Sequence, residues 1–269
     1  MVWICKLFDN YIKFNFHVGL AVLALANITA LDFGFAFHIF DRLIFFVAPF
    51  LAYNFIKFHM FFFEALGFRI GVTVFFLGLI ILAILLFFGV GLYLPASSSI
   101  ILFFTFLLVV LYCLPLPGLK HNFRGFRGLK IHMVALSWVL TTVFLPLSIV
   151  GYSITEFSLV YGFQRYLFVL VATLPFEIRD LKLDDPNLST WPQKWGIKKT
   201  RWLGGLLLLL FVFLEIYLSI SANSLLVLGM AILLMGFVVS AKTEQSKYFS
   251  SFWVEGIPIL WLILKCITI

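Results

Sequence analysis

The chain contains one long polar stretch between two apolar segments, and it reads LPFEIRDLKLDDPNLSTWPQKWG from residue 174 to residue 196. Glu177, Asp180 and Asp184 stand in this stretch at positions i, i+3 and i+7. On an α-helix these positions share one face, so the three carboxylates are expected to lie together. Pro186 follows Asp184 closely and is expected to end such a helix. The stretch therefore predicts a helix that ends in a carboxylate cluster.

The composition of the chain predicts a membrane protein. Its 269 residues are 63% hydrophobic and only 12% charged, with a mean hydropathy of +1.12. A soluble domain is about half apolar and about a quarter charged. The composition therefore excludes a soluble enzyme, a nucleic-acid-binding domain and a disordered chain, and it favours an all-α polytopic membrane domain over residues 1–269. We interpret the net charge of +7 as basic loops that contact anionic membrane lipid.

Nine apolar segments are long enough to cross a bilayer, which takes about 20 residues per helix. They lie near residues 14–31, 36–56, 70–93, 97–115, 131–150, 157–176, 202–220, 222–241 and 252–268. If the N-terminus is cytoplasmic, most of the 19 lysines and arginines fall on the cytoplasmic side, and the outer loops carry none. The sequence therefore predicts nine transmembrane helices in a bacterial inner membrane. The N-terminus and the polar stretch are predicted to lie on the cytoplasmic side and the C-terminus outside.

The carboxylate cluster is a candidate metal site. Carboxylate oxygens are hard ligands that suit Mg²⁺, which commonly shares its coordination shell with substrate phosphates. The alternative is a solvated loop with charges of both signs. The spacing alone leaves both interpretations open.

The same stretch resembles the second aspartate-rich motif of the UbiA superfamily of intramembrane prenyltransferases. The matching positions are Glu177, Asp180 and Asp184 for the acidic residues, Arg179 beside them, and Thr190, Pro192 and Gly196 for the tail, with Trp191 where the family usually has leucine. The family also has nine helices, a cytoplasmic N-terminus and this motif between helices six and seven. The resemblance covers about 25 residues by motif and the whole chain by predicted topology.

The resemblance implies a reaction and a set of site residues. A UbiA-like prenyltransferase moves a polyprenyl group from a prenyl diphosphate to a lipophilic acceptor, with Mg²⁺ on the diphosphate. The metal would be held by Glu177, Asp180 and Asp184, of which Asp180 and Asp184 are also the candidate catalytic residues. The candidate substrate-binding residues are Asn54, Lys57, Lys120, Arg124 and Arg179.

The chain departs from the family at the first aspartate-rich motif. Asn54 matches the leading asparagine of that motif, but its three aspartate positions are Phe55, Phe58 and Phe62. Glu64 is the nearest carboxylate, and it is out of register. Half of the expected metal ligands are therefore missing.

This departure leaves several functions open. The first is a Mg²⁺-dependent prenyltransferase that works with one acidic motif. The second is a catalytically degenerate UbiA-fold protein that binds an isoprenoid or serves as a structural subunit of a membrane complex. A membrane terpene cyclase is a third, since aromatic faces at the phenylalanine positions can stabilise a carbocation. A transporter is the fourth, although the sequence shows no clear inverted repeat.

Overall fold

The structure, a computed structural model, describes residues 2–65, 81, 93–113, 128–218 and 223–268. For residues 2–5, 58–65 and 187 it describes the backbone alone. Most of the predicted third span, 70–93, lies outside the described residues, as do Lys120 and Arg124. The side chains of Phe58, Phe62 and Glu64 are outside them as well.

All regular structure in these ranges is helical, which confirms the predicted all-α class. The helices are α1 (Val2–Lys13), α2 (Phe16–Asp32), α3 (Ile39–Ala65), α4 (Ala96–Cys113), α5 (Leu129–Val139), α6 (Leu145–Ile149), α7 (Glu156–Asp180), α8 (Trp191–Leu218), α9 (Ser224–Ser240) and α10 (Ile257–Thr268). A π-helical turn, Leu140–Phe144, joins α5 to α6, and a second, Phe249–Val254, precedes α10. A 3₁₀ turn, Pro186–Leu188, follows α7.

Six helical segments in the described part of the chain are long and apolar enough to cross a membrane. They are Ile39–Lys57, Ala96–Cys113, Leu129–Ile149, Glu156–Asp180, Trp191–Leu218 and Phe249–Thr268. A bent pair, Lys6–Lys13 with Phe16–Asp32, makes a seventh if it counts as one span. The protein is therefore an integral membrane protein by its apolar helices, while the count of nine and the side of the N-terminus stay predictions.

The helix boundaries differ from the predicted spans, notably at the start of the chain and at the start of α8. Helix α1 was not predicted, and it meets α2 at a bend of 59°. Helix α8 begins at Trp191, well before the predicted start at residue 202, and it is interrupted at Gly196, where φ is +78°. Hydropathy locates apolar residues rather than helix ends. The first turns of α8 are basic, so the prediction did not include them in the helix.

Helix α7 and the α5–α6 segment form the interior of the bundle. Buried residues make up 61% of the most apolar window in each of these spans, against 11% in α4. Leu167, Phe168, Val171 and Leu174 of α7 belong to the main buried cluster. The N-terminus of α7 is fixed by a capping box in which Thr155 and Ser158 exchange hydrogen bonds. The polar stretch thus starts at the end of a central helix.

A polar cluster lies near the N-terminal end of α7. Lys265 Nζ of α10 is 2.6 Å from Asp32 Oδ1, and both side chains are almost fully buried. Tyr161 donates a hydrogen bond to Asp32 Oδ2 at 2.8 Å and accepts one from Arg165 at 2.8 Å. Arg165 also donates to the backbone oxygen of Leu25. Tyr161 is about 28 Å along the helix from Asp180, so this cluster is separate from the carboxylates of the polar stretch.

The first and last parts of the described chain meet at the other end of the bundle. Asp9 of α1 is 2.7 Å from Lys247 Nζ and accepts a hydrogen bond from Tyr248. The hydrogen bond to Asp9 raises the pKa of Lys247 above its ordinary value. His17 at the start of α2 lies 2.9 Å from the backbone oxygen of Phe252. These contacts connect α1 and α2 to the segment that leads into α10.

Candidate functional site

Two of the three predicted carboxylates share one lysine. Lys130 Nζ, at the start of α5, is 2.9 Å from Glu177 Oε1 and 2.7 Å from Asp184 Oδ2. Glu177 lies in the last turn of α7, and Asp184 follows the end of that helix, where its backbone nitrogen donates to the oxygen of Asp180 at 2.8 Å. The ammonium group therefore occupies the space between the two carboxylates.

This cluster of Lys130, Glu177 and Asp184 is shielded from solvent. The exposed fractions of the three side chains are 14%, 3% and 10%. Removing one partner of a buried ion pair typically costs about 3–5 kcal/mol, because an uncompensated charge stays behind. The position of Lys130 is therefore held by strong local electrostatics.

The third carboxylate, that of Asp180, is paired with a different cation. Arg179 Nε is 2.7 Å from Asp180 Oδ1, and Arg179 Nη2 is 3.1 Å from Oδ2, which is a bidentate arrangement. The guanidinium also lies over the ring of Phe176, 5.2 Å from its centroid. The predicted cluster is thus divided into two ion-paired groups.

The loop after α7 fixes the distance between Asp184 and α5. Gly128, whose φ of +72° suits glycine, donates its backbone hydrogen bond to Leu188 O at 3.0 Å. The Gln193 side chain donates to the backbone oxygens of Asp184 and Asp185, and it accepts from Thr190 N at 2.9 Å. This network ties the start of α5, which carries Lys130, to the loop that carries Asp184.

Asn54 and Lys57 contact the turn between α1 and α2. The Asn54 side chain is fully buried and donates to the backbone oxygens of Phe14 and Phe50 at 2.8 and 2.7 Å. Lys57 Nζ donates to Lys13 O at 2.8 Å. Asn54 therefore connects α3 to the α1–α2 turn, a structural contact that the predicted substrate-binding role did not include.

Lys130 and Glu255 are two polar residues that the sequence reasoning missed. Glu255 follows the π-helical turn before α10, and its carboxylate is within electrostatic range of Arg179 and Lys57. Its backbone nitrogen donates to Ser250 O at 3.2 Å, and its carboxylate is in none of the ion pairs among the residues that the structure describes. Its charge within an apolar segment was the available signal, because intramembrane charges commonly mark functional sites.

The described residues do not present an open metal cage. Carboxylate oxygens suit Mg²⁺ by type, but no group of three metal-ligating side chains stands together in the ranges described. Lys130 Nζ lies between Glu177 and Asp184, and Arg179 is paired with Asp180. In this arrangement these two cations occupy the predicted set Glu177, Asp180 and Asp184, and its role as a Mg²⁺ site stays a prediction.

Comparison with solved structures identifies the fold. A UbiA homolog from Archaeoglobus fulgidus, determined with bound Cd²⁺, is similar to this chain with a TM-score of 0.68 at 16% sequence identity. The similarity covers 94% of this chain and 97% of that one. No protein-family profile and no curated protein sequence matches the chain. The protein therefore has the fold of that UbiA homolog, as the polar stretch predicted.

Proposed function

We propose that this protein binds an isoprenoid diphosphate at the end of the bundle formed by α5 and α7, and that it does so without a divalent metal. The observation that carries the proposal is the ammonium group of Lys130 between Glu177 and Asp184. With this lysine in place and Phe55 at an expected aspartate position, the two-motif reaction lacks its ligands. This is the catalytically degenerate UbiA-fold protein of the sequence analysis.

The ligand class follows from the fold and from the charges at this end. The resemblance to the UbiA superfamily implies a prenyl diphosphate as the ligand, and Arg179 and Lys57 are cations within electrostatic range of Glu255 at this end of the bundle. Lys120 and Arg124 of the preceding loop stay predicted diphosphate ligands. An apolar helical interior suits the isoprenoid tail. We place the site on the cytoplasmic side of a bacterial inner membrane, following the distribution of lysine and arginine.

A second candidate is the Mg²⁺-dependent prenyltransferase with a lipophilic acceptor. Three carboxylates at the end of one helix and the Cd²⁺ bound to the structural homolog favour it. In this enzyme Mg²⁺ would displace Lys130 from Glu177 and Asp184, and Asp180 would leave Arg179. The metal would supply charge neutralisation of the leaving diphosphate.

Binding of geranylgeranyl diphosphate to the purified protein in lipid nanodiscs separates the candidates. The proposal expects saturable binding whose Kd changes less than twofold between excess EDTA and millimolar Mg²⁺. Binding that requires Mg²⁺ and is lost in Asp184→Ala would contradict it and support the transferase. The matched control is Asp185→Ala, which removes the neighbouring exposed carboxylate.

A complete lack of binding would overturn both isoprenoid functions. It would support the structural-subunit alternative, which predicts a membrane partner that co-purifies in mild detergent.

A further inference from the structure

We infer that Lys130 is the resident cation of the acidic site: its ammonium group takes the place of a divalent metal, and its removal opens a divalent-cation site at Glu177 and Asp184. The inference rests on the proposed function, because it explains how a UbiA-type site can lack its metal. It concerns the ligands of the site rather than the isoprenoid.

The first argument is the geometry of the contact. One nitrogen lies within 2.9 Å of oxygens from both carboxylates, so those oxygens are near enough to share a single cation. The distances are those of charge-assisted hydrogen bonds. The ammonium thus satisfies both carboxylates at once.

The second argument is burial. Glu177 is only 3% exposed, and its carboxylate lies in the last turn of a central helix. A buried carboxylate needs a counter-charge, because an isolated ion in a protein interior is strongly unfavourable. Asp180 is itself negative and cannot supply this counter-charge. The nearby Arg179 is already paired with Asp180. In the described structure, Lys130 is the cation that contacts Glu177.

The third argument is the framework that holds Lys130. The backbone hydrogen bond from Gly128 to Leu188 O attaches the start of α5 to the loop that follows Asp184. Gln193, in the first turn of α8, forms hydrogen bonds with Asp184 O and Thr190 N at the two ends of that loop. A solvated lysine that only anchors a basic loop needs no such framework, and it is rarely shielded to 14% exposure.

The test is Mn²⁺ binding, measured by electron paramagnetic resonance of the free ion with purified protein in nanodiscs and no isoprenoid. Mn²⁺ prefers the same oxygen ligands as Mg²⁺. We expect Lys130→Met to bind Mn²⁺ at least tenfold more tightly than the wild type. The double variant Lys130→Met/Glu177→Gln should lose this gain. Lys199→Met, which removes an exposed lysine of α8, should bind Mn²⁺ as the wild type does.

The stability of the variant gives a second measurement. Lys130→Met leaves two carboxylates without their counter-ion, so Mn²⁺ should raise its unfolding temperature and leave that of the wild type unchanged. If the methionine variant does not fold, the same measurements are made on Lys130→Gln, which keeps a hydrogen-bond donor. Equal Mn²⁺ affinity in the wild type and in a folded Lys130 variant, whether tight or undetectable, would overturn the inference. Failure of geranylgeranyl diphosphate binding would overturn the proposed function alone.

Discussion

At the scale of single residues, two lysines of the described part of the chain form ion pairs with buried carboxylates. Lys130 forms ion pairs with Glu177 and Asp184 at one end of the bundle, and Lys265 forms one with Asp32 near the other end. Exposed ion pairs contribute little to stability, whereas breaking a buried pair leaves a charge that nothing compensates. The two classes of pair should therefore respond very differently to substitution.

The pair of Asp32 and Lys265 allows this difference to be measured. Lys265→Met should lower the free energy of unfolding by about 3–5 kcal/mol, because the buried carboxylate of Asp32 loses its counter-ion. Thermal unfolding in detergent would show the loss. The control is Lys182→Met, which removes the exposed partner of Glu244 and should cost at most about 1 kcal/mol. Equal effects of the two substitutions would contradict the expectation.

The acidic residues of the site could be predicted from the sequence, but their partner could not. Three carboxylates at helical spacing are visible in the string of residues. Lys130 is 54 positions before Asp184, and the sequence shows it as one of several basic residues in a loop. The pairing arises from the packing of α5 against α7, which residue spacing does not encode. Glu255 differs, because its charge within an apolar segment was visible in the sequence.

At the scale of secondary-structure elements, π-helical turns stand at two junctions of the bundle. Leu140–Phe144 separates α5 from α6, and Phe249–Val254 precedes Glu255. Such turns change the direction of side chains and often occur at functional sites. The first of them also brings Phe144 against α7, where Gly162 leaves room for its ring.

Gly162 tests the closeness of this contact. A Cβ atom at residue 162 would lie 2.8 Å from Phe144 Cζ and 3.1 Å from Cε2, so the ring would have to move. Gly162→Ala should therefore lower the free energy of unfolding by about 1–3 kcal/mol. Gly229→Ala in α9 is the matched control, since a Cβ there meets no atom within 4 Å. It should be neutral or stabilising by up to about 1 kcal/mol, because alanine favours helix.

Thermal unfolding of the two glycine variants in the same detergent would compare them. A Gly162→Ala protein as stable as Gly229→Ala would show that α7 and the π-helical turn are not in close contact.

Helices were easier to predict than their ends. Long apolar runs identify spans because the bilayer demands them. The amphipathic α1 and the basic first turns of α8 are helical without being uniformly apolar. A search for long apolar runs therefore does not detect either of them. Helix α1 is held by contacts of Asp9 with Lys247 and Tyr248, which are distant in the sequence.

At the scale of the whole molecule, the fold was recoverable from a short motif and a topology. The chain shares 16% of its residues with the Archaeoglobus fulgidus homolog, yet 94% of its length follows that fold. Apolar residues are interchangeable in a lipid-facing helix, so identity is lost while the helical arrangement stays. The charged residues of the motif around Asp180 all form ion pairs in this structure.

The predicted orientation in the membrane is testable with reporter fusions in a bacterial host. Alkaline phosphatase is active only outside the cytoplasm, so a fusion after residue 269 should be active. A fusion after residue 185 should be inactive, because the polar stretch around it, residues 177–201, carries six lysines and arginines. An active fusion at residue 185 would place the site on the other side and contradict the proposed location.

The contacts between α2 and the C-terminal segment have a consequence for lipid entry. The start of α2 contacts this segment through His17 and Phe252 O, and the end of α2 contacts it through the ion pair of Asp32 and Lys265. Contacts at both ends of α2 keep it from separating from the C-terminal segment, so an isoprenoid cannot enter the bundle between the two. We therefore expect α2 and α10 to move together, so that a long-chain ligand would enter between other helices of the bundle.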